Sequence, residues 1–246
     1  MKKVMLLIVI IVVAAGGWWF IAGNPDKQPQ NSPNKTEQHF DKKQQSLDDP
    51  ASFWVITNKR RPLQPTNYSP NDLTTPDIPL RLTAKDEEMK LRVEPAAALS
   101  NLFEAAKKDG VSLMVSSAYR SYSFQKGLYN RYVSQQGRAV ADTQSARPGH
   151  SEHQTGLAVD VEPASRKCEV EACFAHTPEG KWVAEHAHEY GFIIRYGDGQ
   201  QGTTGYIYEP WHLRYVGKSL AAEIHKEGNP TLEDFFGLEP APDYGP

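Results

Sequence analysis

The chain has 246 residues and a formal net charge of −3, with 27 Lys and Arg set against 30 Asp and Glu. Charges so balanced and mixed offer no basic face for a phosphate backbone, so no nucleic-acid partner is expected. The length suffices for one domain with a full core, and no internal repeat is visible.

Lys2 and Lys3 precede an uncharged, Ile- and Val-rich run over residues 4–23. At ~1.5 Å per residue such a run spans the ~30 Å core of a bilayer. Lysines on its short side predict a cytoplasmic N-terminus and an exported body, with Trp18 and Trp19 near the far interface. Residues 1–23 are therefore read as a membrane anchor. A cleaved signal peptide is the competing reading, and the apolar run's continuation past Gly17 through Ile21 weighs against it. Residues 24–50 follow, dominated by Asn, Gln, Lys, Asp, Ser and Pro, with Phe40 and Leu47 as their large apolar residues. That composition reads as a disordered tether. The folded domain is expected over residues 51–246, entered through Phe53, Trp54, Val55 and Ile56.

Residues 94–109 read as a helix, with Pro95 suited to the first turn and Gly110 to the end. Leu99, Leu102, Phe103 and Ala106 repeat on it at core spacing. A strand over 111–116 follows, then a second amphipathic helix over 123–136, with Phe124, Leu128 and Tyr132 on one face and Gly137 as its stop. Residues 157–161 read as a short strand and 179–190 as a helix closed by Gly191. Residues 192–196 and 206–216 are strand-like, the latter interrupted at Pro210; 219–227 and 232–236 are terminal helices, and 240–246 a frayed tail. Helices grouped early and short strands late, without βαβ alternation, predict an α+β fold with a mostly antiparallel central sheet flanked by helices. Cys168 and Cys173, close together in an exported domain, read as a disulfide rather than as half of a soft-ligand metal site.

Two segments carry chemistry: Ser-Glu-His-Gln-Thr-Gly-Leu-Ala-Val-Asp at 151–160 and Glu-Pro-Trp-His at 209–212. A catalytic zinc takes three protein ligands and keeps one position open for water. His153, Asp160 and His212 supply two imidazoles and a carboxylate, and Gly156 lets the first segment fold back on itself. Glu209 lies three residues before His212, so on a regular strand the two would face opposite ways. Pro210 cannot donate to the ladder and favours a bulge, which returns both side chains to one face. A carboxylate there can act as general base and then hand its proton to a leaving amine. His39, His176, His186, His188 and His225 read as structural, whereas His150, three residues before His153, has some claim to touch substrate.

The pattern Ser-x-His-x-x-Gly-x-Ala-x-Asp followed by Glu-x-Trp-His resembles the LAS metallopeptidases, a group that takes in lysostaphin-type enzymes, D-Ala-D-Ala peptidases and the hedgehog domain. The closer resemblance is to VanY-like D-alanyl-D-alanine carboxypeptidases. It includes Ser-Ala-Tyr-Arg-Ser-Tyr at 117–122, Pro-Gly-His-Ser-Glu-His-Gln-Thr-Gly at 148–156 and Tyr-Glu-Pro-Trp-His-Leu-Arg-Tyr at 208–215. The resemblance implies a hedgehog/DD-peptidase-like fold with one Zn²⁺ per chain, bound by His153, Asp160 and His212, and Glu209 as the catalytic base on a metal-activated water. It implies too that Arg120 reaches into the site, where a guanidinium would stabilise the oxyanion beside the metal. Gln125 and Ser151 become candidates for holding the substrate's terminal carboxylate, with Tyr119 and Trp211 as further substrate contacts, Trp211 as a packed wall. The implied activity is removal of the last D-alanine from peptidoglycan stem peptides outside the cytoplasmic membrane, by a monomer. Two alternatives stay open: an L,D-carboxypeptidase acting on the tetrapeptide, and a non-catalytic, zinc-containing wall-binding module. The presence of both Glu209 and Arg120 argues against the second.

Overall fold

A computed structural model describes residues 40–245. A short antiparallel pair, β1 (Leu73–Thr74) and β2 (Leu91–Arg92), precedes the main sheet. That sheet comprises β3 (Leu113–Ser117), β4 (Ala158–Pro163), β5 (Phe192–Tyr196) and β6 (Glu209–Tyr215), antiparallel throughout in the order β3-β4-β6-β5. The helices are α1 (Val93–Lys108), α2 (Tyr122–Gln136), α3 (Arg138–Gln144), α4 (Pro178–His186), α5 (Gln201–Thr204), α6 (Lys218–Lys226) and α7 (Leu232–Phe236). The architecture is the expected α+β.

Strand alternation divides the sheet into an apolar face and a chemical face. Val159 and Val161 of β4, Phe192 of β5 and Trp211, Leu213 and Tyr215 of β6 join one cluster with Leu99, Leu102, Phe103 and Ala106 of α1 and Val183 of α4. Each such large side chain contributes about 1.5–3 kcal/mol when fully buried. The intervening residues, Asp160, Arg195, His212 and Arg214, belong to the other face. A second cluster closes the β5 end, where Ile193 and Val216 meet Trp54, Ile56, Leu220 and Ile224 of α6 and Phe235 of α7.

Several expectations are corrected. On α2 the buried residues are Gln125 and Tyr129, not Phe124, Leu128 and Tyr132. That face packs on polar groups: Gln125 donates to Ser145 and the Ala146 carbonyl, and Tyr129 to Asp142. Gly137 ends α2 with φ of 79°, yet the chain resumes at once as α3, which the sequence reading omits. Residues 40–50 are not a free tether. Phe40 stacks on Trp54 with centroids 5.6 Å apart and meets Phe235 edge-on at 6.0 Å, while the Leu47 carbonyl accepts from the Ile56 amide. Nor is the C-terminal tail frayed: Ala241 is buried, and the Tyr244 hydroxyl accepts from the Arg147 amide at 2.7 Å. In both segments a few side chains dock on a surface built by the rest of the fold, which composition alone does not reveal.

Cys168 and Cys173 are bonded. Among the described residues no helix is long and apolar enough to cross a membrane. The run read as an anchor, and the tether up to residue 39, lie outside them.

Candidate active site

Asp160 of β4 and His212 of β6 are a directly opposed cross-strand pair. Asp160 Oδ1 lies 3.2 Å from His212 Nδ1, and Asp160 Oδ2 lies 3.4 Å from His153 Nε2. His153 comes from a single 3-10 turn, Glu152–Thr155, that runs into β4 through Gly156. Gly156 has φ of +68°, and a Cβ there would stand 2.9 Å from Arg92 Cγ, so the fold-back needs glycine. The Ala118 carbonyl, 2.6 Å from His153 Nδ1, can only accept, which puts the proton on Nδ1 and turns the Nε2 lone pair inward.

The donor set fits zinc. The three candidate ligand atoms lie within 4.8 Å of one another. Tetrahedral ligands at ~2.0–2.2 Å from Zn²⁺ are separated by roughly 3.3–3.6 Å, close to the 3.2 and 3.4 Å between the two Asp160 oxygens and the imidazole nitrogens they face. His153 Nε2 and Asp160 Oδ1 are buried with no hydrogen-bond partner. Such orphaned groups cost about 1–3 kcal/mol each, and a shared cation would satisfy both.

Glu209 is brought to the same side by the expected irregularity. Leu213 pairs with Ile194 and Glu209 with Tyr196, so Pro210, Trp211 and His212 together stand opposite Arg195. Glu209 Oε2 lies 3.8 Å from His212 Nδ1. Burial pushes Glu209 up to about 8, only partly offset by His212. Burial lowers His153 to about 4, with Arg120 acting the same way. On His212 burial again opposes charge, but the carboxylates of Asp160 and Glu152 beside it lift it to about 9. Two histidines and one carboxylate thus have their proton affinities pushed away from their ordinary values within one cleft, as at sites of acid–base chemistry.

Arg120 leaves the end of β3 with its Nη2 3.8 Å from Asp160 Oδ2, and its buried Nε has no hydrogen-bond partner. Gln125 and Ser151 line the cleft with Arg120, Tyr196, Tyr206 and Glu209. Two expected substrate contacts lie elsewhere. The Tyr119 hydroxyl pairs with Ser69 Oγ at 3.0 Å, and Trp211 points into the apolar cluster because its neighbour His212 takes the chemical face. His150 turns away too, its Nδ1 2.8 Å from the Asn58 carbonyl.

Sequence reasoning missed a buried ion network behind the ligands. Glu152 pairs with Arg195 at 2.9 Å and Arg214 at 2.7 Å, and Arg195 with Glu233 of α7 at 2.6 Å. One signal was available: Arg214 lies two residues beyond His212 on β6, hence on the same face.

Residues 88–218 match the VanY family, described as D-alanyl-D-alanine carboxypeptidase. YodJ of Bacillus subtilis (strain 168) is 43% identical over 192 residues, which are 78% of this chain and 70% of that protein. The solved LdcB LD-carboxypeptidase is 44% identical with a TM-score of 0.72, over 77% of this chain and 88% of its own. A vancomycin-resistance D,D-pentapeptidase, VanY from a VanB-type cassette, solved as a point mutant with Zn(II), is 29% identical with a TM-score of 0.60, over 74% and 97%. With a His-Asp-His donor set that fits zinc, and with these relatives, the chain belongs to the VanY family and is a zinc metallo-carboxypeptidase acting as a peptidoglycan hydrolase.

Proposed function

We propose that this protein removes the C-terminal D-alanine from peptidoglycan stem peptides on the outer side of the cytoplasmic membrane, using one Zn²⁺ per chain. The observation that carries the reading is Glu209 beside the three donors, with Arg120 across from it. A binding module needs neither.

His153 Nε2, Asp160 and His212 Nδ1 would hold the metal, which when bound polarises the scissile carbonyl and acidifies water. Glu209 takes the proton of the attacking water and returns it to the departing amine as the C–N bond breaks. Its burial raises its proton affinity, while a nearby dication lowers it again, so it is poised for both halves of that transfer. Arg120 faces the charge that develops on the carbonyl oxygen. Ser151, which lines the cleft, would meet the terminal carboxylate; Gln125 lines it too, but its amide protons already go to Ser145 and the Ala146 carbonyl.

The likeness to LdcB, stronger in identity and TM-score than that to the VanY pentapeptidase, supports the tetrapeptide as substrate, an L,D-carboxypeptidase activity. The family description supports the pentapeptide ending in D-Ala-D-Ala. The Cys168–Cys173 bond suits an oxidising compartment, and the apolar run at residues 4–23 supplies the anchor.

The deciding experiment incubates the zinc-loaded full chain in detergent with each peptide and reads products by mass spectrometry, beside a chelated sample and Glu209→Gln. Loss of one alanine from the tetrapeptide alone supports L,D; loss from the pentapeptide supports D,D. If wild type cuts neither, the hydrolytic reading is lost.

A further inference from the structure

Glu152 adjoins one candidate ligand, His153, through the backbone and reaches the other, His212, through its side chain. That side chain is fully enclosed. Its two oxygens are used differently. Oε1 accepts from Arg195 Nε at 2.9 Å and from Arg214 Nη1 at 2.7 Å. Oε2 meets neither arginine and instead lies 3.4 Å from Nε2 of His212.

We propose that Glu152 is a positioning residue: by accepting the Nε2 proton of His212 it holds Nδ1 bare and turned toward Asp160 and Glu209, where the metal must be met. The inference rests on the zinc-hydrolase reading. A neutral imidazole carries one proton; with Nδ1 given over to the metal beside Asp160, that proton belongs on Nε2, where Glu152 Oε2 is the acceptor within reach. A carboxylate behind a ligating histidine fixes ring and tautomer and raises ligand basicity.

Were Glu152 present only to neutralise the two arginines, both oxygens would be expected to face guanidinium groups; one faces the ligand. The arginines do the complementary work. By donating to Oε1 they fix the carboxylate so that Oε2 is left to His212. Arg195 is itself held by Glu233, and Arg214 by the carbonyls of Phe53 and Val55, so the acceptor is braced from three directions. His153 has a neutral brace, the Ala118 carbonyl. The two histidines are therefore supported unequally, and loss of the Glu152 charge falls on His212.

The test measures zinc dissociation constants by chelator competition for the full chain and for Glu152→Gln. The expected result is a 10- to 100-fold weaker constant in the folded variant, with turnover largely recovered at saturating zinc. An unchanged constant in the folded variant overturns the proposal, since fold support alone would lower stability and leave affinity intact. Should the variant not fold, wild type decides. Histidine ¹⁵N NMR of the zinc-loaded chain is expected to show the His212 proton on Nε2 and protected from exchange; a proton on Nδ1 overturns it. Peptide cleavage by wild type, followed in parallel, separates failure of this inference from failure of the functional reading.

Discussion

Asp160 and His212 face each other directly across β4 and β6, their side-chain atoms 3.2 Å apart. Opposed residues on antiparallel strands have Cβ atoms about 4.5–5.5 Å apart, so the backbone itself sets two donors at metal-binding range. Two of the three candidate donors are thereby preorganised. Adding zinc at 100 times its dissociation constant should stabilise the protein by about 2.7 kcal/mol, seen as a higher melting temperature. Chelation should abolish hydrolysis, and zinc should restore it. Melting indifferent to zinc would remove the metal from the account.

Glu209→Gln should lower kcat by about 10²- to 10⁴-fold, the usual weight of a general base, with zinc affinity changed little. A stability effect accompanies it. The folded metal-free protein holds the Glu209 proton up to about 8, against an ordinary 4.5. Between those values the folded state binds more protons than the unfolded, so this group's contribution to stability falls as pH rises. Metal-free Glu209→Gln should therefore melt above wild type at pH 8, and the difference should vanish near pH 4. Equal melting at both pH values would contradict the burial argument.

The ligands were legible because their signal is local: a turn with glycine, a strand, and a proline that breaks strand register. Glu152 was not, although it sits inside the same motif. Its partners Arg195 and Arg214 lie 43 and 62 residues away, and no spacing rule joins an acid to arginines on two later strands. Apolar periodicity points to Phe124, Leu128 and Tyr132 as the buried face of α2, whereas the surface beneath α2 is polar and selects Gln125 and Tyr129. Phe40 and Tyr244 escaped for a related reason: single aromatic residues that dock on a finished surface carry no period.

Tyr119 and Arg120 are neighbours with opposite expected behaviour. Tyr119 pairs its hydroxyl with that of Ser69, away from the cleft, and Arg120 lines the cleft. Tyr119→Phe should cost about 0.5–1.5 kcal/mol in urea unfolding and leave kcat/KM unchanged. Arg120→Met should lower kcat by roughly 10²- to 10³-fold, on the scale of losing one oxyanion donor. A large kinetic loss in Tyr119→Phe would return that residue to the substrate side.

The buried chain Glu233–Arg195–Glu152–Arg214 should govern acid stability. Burial alone would raise both carboxyls, but Arg214 and Arg195 beside Glu152, and Arg195 beside Glu233, hold them below their ordinary 4.5. The sign follows from proton counting. As pH drops below about 4.5 the unfolded chain takes up protons that the folded one refuses. The stabilisation is thus fully present above that value and lost as pH falls toward the folded values, by up to about 1.4 kcal/mol per pH unit for each group. Glu233→Gln leaves Arg195 short of a charge partner in a fully buried site. Breaking such a pair costs about 3–5 kcal/mol at neutral pH. Urea unfolding should therefore show the variant well below wild type at pH 7, with the gap narrowing toward pH 3 as wild type loses its own advantage. A gap of constant size would mean that Glu233 acts through packing and hydrogen-bond shape, not through its charge.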